Sequence, residues 1–293
     1  MTRNDEGDAH RASLTPGHPL FGIGYSGPFR ERPFSRLVGD ATLEESAMIA
    51  EEVPVALIYD GRPHLVMMAT PADLEDFAVG FTLSEEIVGH LDDIQRLEVI
   101  RHAQGIELQL EIGEAAAGRL AQRGRQLVGR TGCGLCGVQT IDEALRVPRA
   151  VASTLRIKPD ALWRAEAAIA ERQLFNQATG AIHAAAWADP DGTLRVVRED
   201  VGRHNALDKV LGALARDRHN AAEGFLVMTS RASYELVQKA AVAGVPLLAT
   251  ISRPTDLAIR LAEATGITLV GLLRGATANV YAHGERLDHG ARV

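Results

Sequence analysis

Short apolar runs separated by turn-forming clusters fill the first half of the chain. Residues 53–59 and 64–69 are apolar on either side of Asp60-Gly61-Arg62-Pro63, a pattern that predicts a hairpin, with Pro63 making its turn irregular. Thr70-Pro71-Ala72-Asp73 then opens a helix: Thr70 is placed to cap, Pro71 suits the first turn, and Leu74, Phe77, Ala78 and Phe81 fall on one face. Residues 97–100 and 106–111 read as further strands, residues 114–126 are polar and basic, and residues 148–159 connect to a second unit. Residues 1–40 show no periodicity, carry Gly, Pro and Arg throughout, and read as a mobile leader or an edge extension.

The second unit has a clearer pattern. Residues 181–187 and 193–197 flank Asp189-Pro190-Asp191-Gly192, a hairpin turn. Residues 205–214 place Leu207, Val210, Leu211 and Leu214 on one helical side. Strands and helices then alternate: a strand at 225–229, Ser230 as N-cap, a helix at 232–243 ended by Gly244, a strand at 247–251, Thr255 capping a helix at 256–264, and a strand at 267–273. Strands joined by helices of this length predict a parallel sheet. The division expected is a leader at 1–40, a smaller β-rich α+β unit at 41–147, and an α/β unit at 148–293.

In open α/β sheets a ligand binds beyond the carboxyl ends of the strands. Three stretches lie there: Ser230-Arg231, Ser252-Arg253-Pro254-Thr255 and Arg274-Gly275-Ala276-Thr277. Each joins a guanidinium to a hydroxyl, and helix N-termini beside them favour anions. Glu199-Asp200-Val201-Gly202-Arg203-His204 is a fourth such stretch. Together they predict a pocket for a phosphate- or pyrophosphate-bearing ligand, arginine's planar fork suiting phosphate. The plainer reading of any single stretch is a capping hydroxyl and a surface arginine. His183 alone reads as a core histidine. His204 at a helix start is favoured as a neutral ring that can accept a proton.

Composition narrows the classes. The chain has 293 residues, 46% apolar, with a formal net charge of −7, which argues against a general nucleic-acid binder. No apolar run approaches the ~20 residues of a membrane helix, and the first eight residues lack a signal-peptide core. The expectation is a soluble cytoplasmic protein. Its only two cysteines lie in Gly132-Cys133-Gly134-Leu135-Cys136-Gly137. Two cysteines in one stretch make no disulfide framework, and a reducing compartment is the natural setting.

Close thiols on flexible backbone are open to thiol–disulfide exchange, half of a zinc site, or sulfur carriage. No strand–cysteine–helix pattern supports the first, and the histidines lack the spacing to complete four zinc ligands. His283-Gly284-Glu285 follows the cysteines, and Gly132 stands where a zinc deaminase would have proline, so deaminase chemistry is rejected. Gly22-Ile23-Gly24-Tyr25-Ser26-Gly27 and the cysteine stretch both match G-x-G-x-x-G, but neither follows a convincing strand. What remains is a thiolate that takes a donor's persulfide sulfur and holds it, with Arg123, Arg125 and Arg130 favouring the thiolate. No metal site is expected.

Five longer stretches carry a resemblance: residues 66–81, 129–137 (Gly-Arg-Thr-Gly-Cys-Gly-Leu-Cys-Gly), 179–185 (Thr-Gly-Ala-Ile-His-Ala-Ala), 199–209 (Glu-Asp-Val-Gly-Arg-His-Asn-Ala-Leu-Asp-Lys) and 230–235 (Ser-Arg-Ala-Ser-Tyr-Glu). In them, from about Glu51 to Asp288, the chain resembles the formate dehydrogenase accessory sulfurtransferase family, FdhD. The resemblance implies a cytidine-deaminase-like larger domain with a mostly parallel sheet, a smaller β-rich domain, and a homodimer. It implies that sulfur comes from a cysteine desulfurase, with Cys133 as the persulfide-bearing residue and Cys136 assisting. The sulfur would pass to the bis(molybdopterin guanine dinucleotide) molybdenum cofactor before that cofactor enters formate dehydrogenase. The family's cofactor-contacting stretch corresponds to Leu272, Leu273, Arg274, Gly275, Ala276 and Thr277; Ser230 and Arg231 are added on geometric grounds, and GDP or GMP is expected to mimic the nucleotide end. The alternatives are a cofactor-binding chaperone without sulfur transfer and a Cys-x-x-Cys oxidoreductase. Glu86 departs from the glycine common at its position.

Overall fold

The computed structural model describes residues 25, 27–124 and 145–289. Cys133 and Cys136, with the rest of the stretch that carries them, lie outside the described residues.

Three sheets organise the described residues. Strands β1 (Phe29–Val38) and β2 (Ala41–Ala50) form a two-stranded antiparallel ribbon. β1 thus falls within the residues expected to form a mobile leader or an edge extension. β3 (Val53–Tyr59) and β4 (Arg62–Ala69) make the expected hairpin. A register shift at Leu57/Ile58 accommodates Pro63, which cannot donate to the ladder. With β5 (Ile94–His102) and β6 (Gly105–Ile112) they form a four-stranded sheet in the order β4-β3-β6-β5. Its inner face (Val53, Val55, Leu57, Tyr59, Ile106, Leu108, Leu110) is buried against Leu74, Phe77, Ala78 and Phe81 of helix α1 (Leu74–Ser84).

Thr70 does not cap α1. Asp73, in a left-handed conformation, holds the N-cap position, and the Thr70 hydroxyl instead accepts the Val201 N–H at 3.1 Å. The polar stretch after β6 begins as helix α2 (Glu114–Gly124). Two more helices, α3 (Pro159–Arg172) and α4 (Leu174–Thr179), follow the connection to the second unit and were not predicted.

The six-stranded sheet has the order β12-β11-β10-β9-β7-β8. It comprises β7 (His183–Ala188), β8 (Leu194–Asp200), β9 (Phe225–Met228), β10 (Leu247–Thr250), β11 (Thr268–Arg274) and β12 (Thr277–Ala282). The β9–β10 and β10–β11 pairs are parallel, while β7–β8, β7–β9 and β11–β12 are antiparallel pairs. The α/β class holds, and four of the six strands, β8 to β11, run in one direction. Two of the antiparallel pairs have a local cause: the Asp189–Gly192 turn makes β7–β8 a hairpin, and Gly275, at φ 55°, lets the chain reverse from β11 into β12. That hairpin was not anticipated.

Helices cover both faces of this sheet. Trp187, Leu226, Met228, Leu248 and Leu269 face α5 (Arg203–Arg216), α6 (Tyr234–Val242) and α7 (Asp256–Thr265), while Phe225, Val227, Leu247 and Val270 face α3. Ser233, not Ser230, is the N-cap of α6, whereas Thr255 caps α7 as expected, accepting from Ala258 N–H at 3.3 Å. α1 lies across α5, so the four-stranded sheet is stacked over the helical layer of the larger one. No described helix is long and apolar enough to cross a membrane.

Candidate functional site at the strand ends

The carboxyl ends of the three parallel strands are tied into one ledge. Beyond β9 the Thr229 N–H donates to Ala184 O at 3.0 Å; Ser252 N–H reaches Ser230 O at 3.4 Å, and Leu272 N–H reaches Ser252 O at 3.2 Å. The Thr250 hydroxyl adds bonds to Ser252 O (2.9 Å) and Val270 O (3.2 Å). Ser230, Ser252 and Leu272, from three separate stretches of sequence, thus lie side by side where the sheet geometry puts a ligand.

This ledge needs two unusual backbone positions. A Cβ on Gly271 would come within 3.0 Å of Ser252 O and 2.9 Å of Pro254 Cδ, so only glycine fits without a shift. Leu272 beside it has φ 53°, a conformation that branched and bulky residues rarely hold and that tends to be kept at ligand sites. Leu273 is fully buried, whereas Arg274, Gly275, Ala276 and Thr277 are exposed in the β11–β12 turn, closed by the Thr277 hydroxyl donating to Arg274 O at 3.0 Å. Ser230 is buried and Arg231 exposed next to it. The Arg231 and Arg274 side chains are exposed here, and guanidinium groups so placed suit an anionic ligand.

His183 opens β7 opposite Asp200, the last residue of β8. Burial, then the charge of Arg203, holds the His183 imidazole below its usual pKa, with Asp200 opposing and His204 adding to the shift. Arg203 carries a buried Nε with no partner among the described residues. Asp200 is fully buried and saturated: Lys209 Nζ at 2.7 Å, Thr70 N–H at 3.0 Å, Gly202 N–H at 2.8 Å and Asn205 Nδ2 at 3.0 Å. Lys209 spends its other donors on Thr70 O and Glu199 O. This pair is a bolt between the two sheets, with no capacity left for a substrate.

His204 differs. Its Nε2 is 2.9 Å from Glu235 Oε2, and the Ser233 hydroxyl donates to the same oxygen at 3.0 Å. Burial pushes the Glu235 carboxyl up, but the His204 hydrogen bond and charge, Ser233 and Arg203 outweigh it, and the net direction is down. Sequence reasoning missed Glu235 and Ser233, although both stand in the 230–235 stretch. Only the N-terminus of α6 facing that of α5 brings them to His204. Among the described residues no cluster of three or more His, Cys, Asp or Glu is arranged to hold a metal ion.

The fold is of the α/β class, with Arg231 and Arg274 exposed at its strand ends, and both cysteines stand in one stretch of the sequence. The chain belongs to the FdhD/NarQ family, whose model matches residues 50–288. It is 55% identical over 253 residues to the sulfur carrier protein FdhD of Xanthomonas euvesicatoria pv. vesicatoria, covering 86% of this chain and 89% of that one. It is 51% identical over 245 residues to the protein of the same name from Cupriavidus necator, covering 84% and 85%. The fold matches the crystal structure of a putative formate dehydrogenase accessory protein from Desulfotalea psychrophila, with a TM-score of 0.69 at 23% identity over 88% of this chain and 99% of that one.

Proposed function

We propose that the chain is a sulfur carrier in formate dehydrogenase maturation. Its sulfur donor is a cysteine desulfurase, its cargo the bis(molybdopterin guanine dinucleotide) molybdenum cofactor, and its setting the cytoplasm. The Cys133 thiolate attacks the terminal sulfur of the donor's persulfide. The donor's S–S bond breaks, its cysteine leaves as thiolate, and Cys133 holds the sulfur as a new persulfide. Cys136, three residues on, is placed in sequence to help release it. The nucleotide end of the cargo is assigned to the ledge: Leu272, Leu273, Arg274, Gly275, Ala276 and Thr277 from β11 and its turn, with Ser230 and Arg231 beyond β9.

The observation that carries this reading is the confinement of both cysteines to one glycine-rich stretch in a chain of this family. The ledge supports the cargo assignment through its exposed arginines and its strained Leu272. Intact-protein mass spectrometry after incubation with a cysteine desulfurase and cysteine, without reductant, tests it. Wild type is expected to gain the mass of one or more sulfur atoms, reversibly with thiol, and Cys133→Ala is expected to gain none. No gain in wild type, under conditions that load a known acceptor, would leave cofactor binding as the activity.

A further inference from the structure

We propose that a cavity at the seam between the two stacked units binds a small organic cation, an ammonium, amidinium or guanidinium group carried on a hydrocarbon or ring body. The cavity has a volume of about 620 Å³, within the range of small-molecule sites. It is separate from the ledge. α5 and α6 start beside the ledge and end at the cavity, and the 14 residues of α5 span about 21 Å.

Three helices end at this cavity. Leu83 and Glu86 from the end of α1, Leu214 from the end of α5 and Val242 from the end of α6 all line it. Helix C-termini carry partial negative charge and favour a cation. α1 has no basic residue in its last turn. Arg216 and Lys239, in the last turns of α5 and α6, are spent on other partners, Arg216 on Asp76 and Lys239 on Asp208 and Glu85. The cation found at the cavity is Arg146, which comes from elsewhere in the chain, and its Nη1 lies 3.0 Å from Glu86 Oε2. The chain thus puts a guanidinium of its own where the helix ends call for positive charge.

Arg146 is a replaceable occupant. Its side chain and that of Glu86 are 40% and 50% exposed, and an ion pair so exposed contributes little. Its backbone is held independently of the guanidinium, because Arg146 O accepts the Tyr234 hydroxyl at 2.7 Å and Gln238 Nε2–H at 3.4 Å. The guanidinium can therefore swing out and leave Glu86 to a ligand. Glu86 itself is held under strain. It follows the C-cap of α1 at φ 53°, the left-handed position that glycine commonly fills. Strain of this kind clusters at ligand sites. Val88, Leu211, Leu214 and Val242 supply an apolar wall for the ligand's body. The polar side chains of the wall are engaged within the chain: Ser84 with Asp208 at 2.7 Å, Asn220 with Ala222 N–H at 3.1 Å, and His219 stacked on Trp187. The charge of Glu86 is left to select the ligand.

The test uses the full-length chain with benzamidinium, its neutral isostere benzamide and the anion benzoate. Titration calorimetry is expected to give benzamidinium a dissociation constant of about 1 mM or lower, with benzamide and benzoate about tenfold weaker or more. The methyl resonances of Leu211 and Val242 are expected to shift on binding. Glu86→Gln is expected to weaken benzamidinium about fivefold, and Arg146→Ala, which removes the internal competitor, to tighten it about two- to fivefold, the scale of an exposed ion pair. A pair that only braces the fold would give no tightening. No binding of benzamidinium to wild type, equal binding of benzamide, methyl shifts only elsewhere in the molecule, or an Arg146→Ala variant that binds no more tightly would overturn the proposal.

Discussion

Gly80 of α1 and Gly212 of α5 meet backbone to backbone. A Cβ on Gly80 would overlap the carbonyl of Asp208, and one on Gly212 would overlap that of Asp76. The contact is reciprocal, and it sets how close the four-stranded sheet comes to the helix that carries His204. Neither side can yield by rotating a side chain, because the obstacle is main chain. Gly80→Ala and Gly212→Ala are each expected to cost about 3 kcal/mol or more, read as a lowered urea midpoint. A loss below about 0.5 kcal/mol, the scale of ordinary surface changes, would show that the helices separate easily.

Beside this crossing lies a buried ion pair. Lys239 Nζ sits 2.9 Å from Asp208 Oδ1 and 2.7 Å from Glu85 Oε1, with the Ser84 hydroxyl at 2.9 Å and the Phe81 ring centre at 5.2 Å. Burial works against the ammonium, but Asp208 and Glu85 outweigh it and push its pKa up. Lys239→Ala leaves the Asp208 carboxylate buried without its cation and is expected to cost about 3–5 kcal/mol. Lys239→Met with Asp208→Asn removes both charges and is expected to cost clearly less. Equal losses in the two variants, by chemical denaturation, would show that packing rather than charge holds the seam.

The sequence was most legible where one period acts alone. The β3–β4 hairpin, the β9–α6–β10–α7–β11 alternation and the Thr255 cap follow from runs, turns and caps that a few neighbours specify. Less legible was what tertiary partners decide. Thr70 looked like a cap, but Val201 claims its hydroxyl. Ser230 looked like another, yet the chain runs on along the ledge before α6 starts at Tyr234. β12 was hidden because Arg274–Thr277 reads as a loop whether a helix or a hairpin follows. Ser230, Arg231 and residues 274–277 could be put at strand ends from the pattern alone, whereas Leu272 and Leu273 came only with the family resemblance. Glu235 could not be placed, since nothing local says that the first turn of α6 faces His204.

His183 gives the molecule a pH dependence of definite sign. Its imidazole is held below its usual pKa by burial first and Arg203 second. Below about pH 6.5 the unfolded chain takes up a proton there that the folded chain resists. The unfolded state then binds more protons, so the stability from a neutral His183 is present above about pH 6.5 and is lost as the pH falls through the folded value. Melting temperatures from pH 8 to pH 5 are expected to fall for wild type. The fall should be shallower for His183→Asn, which cannot titrate. Parallel curves would place the dependence elsewhere, with the carboxylates.

Arg274 is the residue through which the ledge can be tested without disturbing the fold. It is exposed, no hydrogen bond or ion pair ties its guanidinium to the described residues, and the β11–β12 turn is closed by its backbone carbonyl rather than its side chain. Arg274→Ala is therefore expected to leave the melting temperature within about 1 °C, since surface changes of this kind stay within about 0.5 kcal/mol. If the guanidinium meets the phosphates of the cargo's nucleotide end, losing it removes a charge-assisted hydrogen bond of about 1.5–3 kcal/mol. That corresponds to a roughly 10- to 150-fold weaker dissociation constant for GDP by titration calorimetry. Gly271→Ala is the companion change: it presses on Ser252 O and Pro254, displaces Leu272, and is expected to weaken GDP while also lowering stability. GDP affinity unchanged in Arg274→Ala but lost in Gly271→Ala would assign recognition to the backbone of the ledge and remove the arginine from it.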